Sequence, residues 1–290
     1  MIALFPRPSS CALLLALGVI LTPSNALAGA SFKVEAEEFV VTADSQLRFW
    51  EGTFDVPGQS PVHFTCYAPA DAGSYDAILF LHGYGRDDYI WTIHQMVMAG
   101  RGTIAVAIDY EEGQPQNAQL AEVSSAVELM NSWWEVKSVS LCGSSYGGKV
   151  ALETIGKRPE LGIEAALLVY PAWARMEHED FAAIEADVLN VVGEVDGLSL
   201  SSYWIQDQIN THNDRINYKL HVYSEDDFPI EARHGYFFAQ TPQEFNDVAL
   251  DSFARGIGYF EWIVGGEDAP PWRNDPTLIT RDNLITLPGF

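Results

Sequence analysis

The chain is poor in cysteine and in positive charge, and the apolar stretch near its start is too short to cross a bilayer. Three cysteines among 290 residues exclude a disulfide-stapled scaffold. Sixteen lysines and arginines stand against 40 aspartates and glutamates, a formal net charge of -24. Such a surface repels nucleic acid and anionic membranes, so no nucleic-acid partner is expected. Neutral or cationic substrates suit it better than polyanions, and the acidic excess also keeps a protein soluble. No internal repeat, heptad pattern or low-complexity segment is present, which removes solenoids and coiled coils.

The early apolar run, Cys11–Leu21, has eleven residues, against the roughly 20 that span a membrane. With Arg7 before it and the small-residue site Ala26-Leu27-Ala28 after it, it reads as a secretory signal peptide cleaved after Ala28. The expected organisation is a signal peptide over 1–28 and one α/β domain over 29–290, secreted or periplasmic, with no stable membrane insertion after cleavage. Cleavage removes Cys11 and Arg7, shifting the net charge to -25 and leaving Cys66 and Cys142. Both lie in apolar, strand-like runs that are not neighbours in the expected sheet, so buried free thiols are expected.

"LRFWEGTFDV" and "VHFTCYAP" alternate as antiparallel strands do. The pattern then changes to "AILFLHG", "TIAVAIDY", "VKSVSLCG", "EAALLVYP", "DVLNVVGE" and "YKLHVYSE", short continuous apolar runs typical of strands buried on both faces of a parallel sheet. "NAQLAEVSSAVELMNSWW" has Leu120, Val123, Val127 and Leu129 or Met130 at amphipathic helical spacing, and "SYGGKVALETIGKRPE" reads as a second helix. "TPQEFNDVALDSFARGIGYFEWIV", with Thr241 as N-cap, reads as a closing helix, and the proline-rich end as a surface tail. Strand and helix alternating in this way predict a mostly parallel, doubly wound sheet with antiparallel N-terminal strands and active groups at the carboxyl ends of its strands.

"SVSLCGSSYGGKV", residues 138–150, offers three candidate nucleophiles. A strand that reverses sharply into a helix needs very small residues two positions before and two after the exposed side chain. Only Ser145 meets this, between Gly143 and Gly147; Ser144 is flanked by Cys142 and Tyr146, and Cys142 by Ser140 and Ser144. A serine needs a base, usually a histidine oriented by a carboxylate. Of seven histidines, His63 and His221 fall within strands, His94 and His212 within or at the ends of helical stretches, and His178 in an acidic loop. His234 follows the last strand, where it can reach the sheet's carboxyl edge, and is the candidate base. The loop "GEVDGLSL" supplies Glu194 and Asp196; Asp196, between two glycines, is preferred, with Asp226 and Asp227 as weaker alternatives.

Attack on a carbonyl generates an oxyanion, which needs two preorganised donors worth about 10² to 10³ in rate each. The backbone N–H of Tyr146 is one, and the N–H of Tyr84 in the glycine-flanked "FLHGYGRDD" loop is the other. The ring of Tyr84 could line the substrate site, while His82 serves to hold the loop. Trp173 and Met176, in "YPAWARMEHEDF", either contact substrate or only pack. No metal or organic cofactor is implied, since the histidines and cysteines lack ligand spacing.

"LFLHGYG", "GSSYGGK", "GEVDG" and "RHGYFF", in that order, resemble the α/β-hydrolase superfamily and its dienelactone-hydrolase-like branch, from about Asp76 to Val264. The order Ser145, Asp196, His234 is also that of α/β-hydrolases. The resemblance implies the α/β-hydrolase fold and hydrolysis of a carboxylic ester through an acyl-enzyme. Dienelactone hydrolases carry cysteine at the nucleophile position; Ser145 favours a general serine esterase. "SYGG" is similar to the elbow of prolyl-oligopeptidase-type peptidases, whose large β-propeller no segment here could form. A hydrolase fold retained only for binding is the remaining alternative.

Overall fold

The computed structural model describes residues 32–41, 46–224, 232–237 and 252, with the backbone alone for 36–41. The expected signal peptide, the closing helix with Thr241, except Ser252, which is helical, and the tail lie outside the described residues.

The strands are β1 (Phe32–Val41), β2 (Gln46–Phe54), β3 (Val62–Pro69), β4 (Tyr75–Leu81), β5 (Ile104–Asp109), β6 (Val136–Ser144), β7 (Ala165–Val169), β8 (Asp187–Gly193) and β9 (Tyr218–Tyr223). They form one sheet in the order β1-β2-β3-β5-β4-β6-β7-β8-β9. β1, β2 and β3 pair antiparallel, as does β3 with β5, and every pair from β5 to β9 is parallel. Sequence reading marks β2 and β3 but not β1, where apolar and charged residues alternate from Phe32 to Glu37 but the adjacent Glu37 and Glu38 interrupt the period in mid-strand.

The continuous apolar runs have a direct cause in the packing. Leu79, Leu81, Val106, Ile108 and Leu141 face a layer containing Val123, Val127, Val150, Ile155 and Ile205, whereas Ile78, Phe80, Ala105, Ala107 and Cys142 face Trp91, Ile93, Val97 and Phe237. Both faces of the central strands are covered, so alternate residues are equally apolar. All five residues of β7 are buried.

Helices α1 (Thr92–Gly100), α2 (Gln116–Ser132), α3 (Tyr146–Lys157), α4 (His178–Ala183) and α5 (Ser199–His212) connect the strands. α2 buries Leu120, Val123, Val127, Leu129 and Met130, the stripe its spacing predicts. His178 is not in a loop as expected. It opens α4, where Glu177 and Asp180 form a capping box, and its ring stacks on His212 at 4.3 Å; two reciprocal side-chain bonds suffice to start a helix too short for periodicity to reveal. Cys66 on β3 and Cys142 on β6 are separated by β5 and β4, and both are buried and free. Among the described residues no helix is long and apolar enough to cross a membrane.

From β4 the chain winds through α1 to β5 on one side, then returns through α2 to β6 on the other. The strand order therefore reverses between β4 and β6, the place where open α/β sheets leave a crevice at their carboxyl ends. Ser145 stands immediately after β6.

Candidate active site

Ser145 sits at φ 51° and ψ -112°, a backbone conformation costing about 1–3 kcal/mol for a residue with a side chain. The surrounding glycines make the bend possible. A Cβ on Gly143 would overlap the Gly147 carbonyl, one on Gly147 would overlap the Leu81 carbonyl, and one on Gly148 would come within 3.0 Å of the Gly143 oxygen. The bend is clamped on its other side: Ser145 N–H donates to the Val169 carbonyl at 2.8 Å, and the Ser145 carbonyl accepts from Ala172 N–H at 2.9 Å and Lys149 N–H at 3.1 Å. Ser144 and Cys142 are buried beneath it, and burial pushes the Cys142 thiol well above its ordinary value.

His234 Nε2 lies 3.0 Å from Ser145 Oγ, and its Nδ1 lies 3.2 Å from each carboxylate oxygen of Asp196. The loop carrying His234 reaches the site because Gly193, at the end of β8, has no side chain: a Cβ there would overlap the Ala232 carbonyl. Gly235, at φ 89°, then turns the chain, closed by Tyr236 N–H donating to the Arg233 carbonyl at 3.1 Å. The Asp196 side chain is fully buried, and its Oδ1 also accepts Leu198 N–H at 2.7 Å. Glu194 is exposed, and Asp226 and Asp227 lie outside the described residues. Sequence reading missed Tyr170. Its ring packs 4.7 Å from that of His234, and its positive φ of 39° lets the chain leave β7 toward the elbow; the Tyr-Pro pair at the strand end is the signal that could have found it.

Tyr146 is the first residue of α3, so its N–H has no partner within the helix. Across from it, the Cβ position of Gly83 is 3.5 Å from Ser145 Cβ, which sets the loop of Tyr84 against the elbow. The rings of Tyr84 and Tyr146 meet edge to face at 6.0 Å, with Tyr84 72% exposed. His82 is buried, stacks on Tyr110 and places Nδ1 3.0 Å from the Gly83 carbonyl, as a residue holding the loop should. Trp173 flanks the elbow from the β7 side, half exposed and packed against Trp204 at 5.4 Å. Met176 tucks against Gly156 of α3, where it packs on the core.

No protein-family model and no curated protein matches the chain. Solved structures do match its fold. A candidate dienelactone hydrolase from Klebsiella pneumoniae subsp. pneumoniae is 14% identical over 73% of this chain and 98% of that one, with a TM-score of 0.58. A fungal esterase from Rhizomucor miehei is 13% identical, covering 82% and 85%, with a TM-score of 0.58. Thermogutta terrifontis esterase 2, solved phosphonylated by sarin, is 16% identical, covering 73% and 96%, again at 0.58. Identities this low speak to architecture, and the architecture is unambiguous: the chain has the α/β-hydrolase fold, with antiparallel strands leading into a mostly parallel, doubly wound sheet.

Proposed function

We propose that the protein hydrolyses carboxylic esters through an acyl-enzyme on Ser145. One observation carries the reading: a serine on a strained bend, 3.0 Å from an imidazole whose other nitrogen is 3.2 Å from a fully buried carboxylate. Gly143, Gly147 and Gly193 make that approach possible, since a Cβ at each would overlap a backbone carbonyl. A purely structural turn does not need a buried acid behind a half-exposed histidine.

In this reading His234 Nε2 takes the hydroxyl proton as Ser145 Oγ bonds to the ester carbonyl carbon. The carbonyl π electrons move to oxygen, and the N–H groups of Tyr84 and Tyr146 receive the oxyanion. Collapse breaks the bond to the alcohol oxygen, which takes the proton from His234. Water then repeats the attack with His234 as base, releasing the acid and restoring the serine. Asp196 keeps the proton on Nδ1 and balances the imidazolium that forms at each step. Tyr84 and Trp173 stand exposed on either side of the elbow, which suits small or extended esters. Export after cleavage at Ala28 belongs to the same reading and is checked by N-terminal sequencing of the protein recovered outside the cytoplasm.

The decisive experiment is labelling with a fluorophosphonate, alongside hydrolysis of short p-nitrophenyl esters. The phosphonylated Thermogutta esterase makes that probe the natural choice. Wild type takes the label and turns over acetate and butyrate esters; Ser145→Ala does neither. A folded wild type that takes no label and cleaves no ester defeats the ester-hydrolase reading in favour of the binding alternative, and cleavage of prolyl peptides without ester turnover favours the peptidase alternative.

A further inference from the structure

The loop from His82 to Gly85 owes its shape to residues that sequence reading never singled out. Three consecutive peptide groups are each fixed by a side chain. The His82 carbonyl accepts the Tyr110 hydroxyl at 2.6 Å. The Gly83 carbonyl lies 3.0 Å from His82 Nδ1 and, being only an acceptor, requires the proton on that nitrogen. Gly85 N–H donates to both oxygens of Glu112, at 2.6 and 2.7 Å. Glu112 Oε1 is also 3.4 Å from His82 Nδ1, beside the bond that fixes the Gly83 carbonyl. In a planar trans peptide the C=O and N–H point in opposite directions, and no cis bond occurs among the described residues. Holding the Gly83 carbonyl toward His82 therefore turns the N–H of Tyr84 the other way.

The same stretch of chain also reaches Tyr146. Gln119 Nε2 donates to the Tyr146 hydroxyl at 2.6 Å and to the Glu111 carbonyl at 3.4 Å. Glu111 N–H in turn donates to Glu122 at 3.1 Å. The connection from β5 into α2 thus ties together the two residues whose N–H groups the proposed reaction uses.

We propose that Glu112, with Tyr110, is a positioning residue for the oxyanion-binding loop, acting on the reaction through Gly85 N–H and the His82 carbonyl without touching substrate. The inference rests on the ester-hydrolase reading. A carboxylate near a developing negative charge would by itself oppose the reaction, so its value must lie in the peptide geometry it enforces. A donor held in place acts mainly on the transition state, and misplacing it lowers kcat while leaving KM little changed.

The test measures kcat and KM on p-nitrophenyl acetate, and Ki for a trifluoromethyl ketone that forms a tetrahedral adduct, in wild type, Glu112→Ala, Glu112→Gln and Tyr110→Phe. Glu112→Ala is expected to lose roughly 10- to 100-fold in kcat, within the range of a displaced oxyanion donor, with KM within about threefold. Glu112→Gln, which still accepts Gly85 N–H, recovers most of that loss. Ki weakens in step with kcat/KM across the series, as a transition-state analogue requires. The proposal is overturned by a folded Glu112→Ala with wild-type kcat, by a loss confined to KM, or by Ki values that stay flat while kcat falls. If Glu112→Ala does not fold, Tyr110→Phe, which removes a single hydroxyl, carries the same test. A wild type that hydrolyses esters while the variant series stays flat defeats this inference alone; a wild type that neither labels nor hydrolyses defeats the hydrolase reading and this inference with it.

Discussion

Replacing Asp196 by asparagine tests the proposed relay with almost no change in shape. Leu198 N–H, 2.7 Å from Oδ1, demands an acceptor, so the asparagine must turn its amide oxygen toward Leu198. That leaves the amide nitrogen in place of Oδ2, 3.2 Å from His234 Nδ1. Two donors then face each other unless the ring surrenders its Nδ1 proton and carries it on Nε2 instead. In that tautomer Nε2, 3.0 Å from Ser145 Oγ, can no longer take the hydroxyl proton. The amide oxygen is itself 3.2 Å from Nδ1, so a minority of molecules keep the productive tautomer and residual turnover survives. The expected loss in kcat is about 10³ to 10⁴-fold, or roughly 4–5 kcal/mol of barrier. The assay is p-nitrophenyl acetate hydrolysis at constant pH, with the rate of fluorophosphonate labelling measured in parallel, since both require the same proton transfer. Glu194→Gln, on the exposed neighbour, serves as control and stays at wild-type rate. Asp196→Asn within tenfold of wild type would refute the orienting role and return the search for a carboxylate to the rest of the chain.

Three further outcomes follow from the packing. In Gly147→Ala the new methyl would overlap the Leu81 carbonyl and stand 2.6 Å from that of His82; the loop must retreat by about 1 Å, costing about 1–3 kcal/mol of stability and about 10²-fold in kcat, and a variant with wild-type melting temperature and rate contradicts this. Burial pushes the Glu122 carboxyl up to about 7, so the native state holds a proton that the unfolded chain has released. Stability should fall as pH rises from about 4.5 to about 7; Glu122→Gln, which still accepts Glu111 N–H, should melt higher than wild type at pH 8 and equally at pH 4.5, and an equal gap at both pH values is the contrary result. His94 is fully buried and stacked on Phe237, and its imidazole is pushed down to about 3. Here the unfolded state binds the extra proton, so this residue removes about 1.4 kcal/mol of stability per pH unit as pH falls from about 6.5 toward 3; urea titrations of His94→Gln between those limits should show a shallower acid slope, and parallel slopes would remove His94 as a cause.

What could be read in advance was whatever the backbone itself constrains. The parallel strands are visible because burial on both faces removes alternation, as in β7. The elbow is visible because only glycine tolerates the approach of Leu81 and Gly147 carbonyls to its Cα. Gly193 is required for the same reason, by the Ala232 carbonyl, while a Cβ on Gly197 would meet nothing; between them the structure buries Asp196 and exposes Glu194. β1 was missed because Glu37 and Glu38 interrupt its alternation in mid-strand, and α4 because a six-residue helix has too few turns for a period. Glu112, Tyr110 and Gln119 were missed for a different reason. A backbone N–H accepts support from any carboxylate, amide or hydroxyl oxygen, so chemistry alone leaves the bracing residue's identity degenerate. Its location is set by the parallel pairing of β4 with β5, which brings residue 112 beside residue 85 from 27 positions away. A bend dictates its own sequence because sterics forbid alternatives; a brace does not, because hydrogen bonding permits many. Residues that position a reacting group are therefore found only once the strands that carry them are paired.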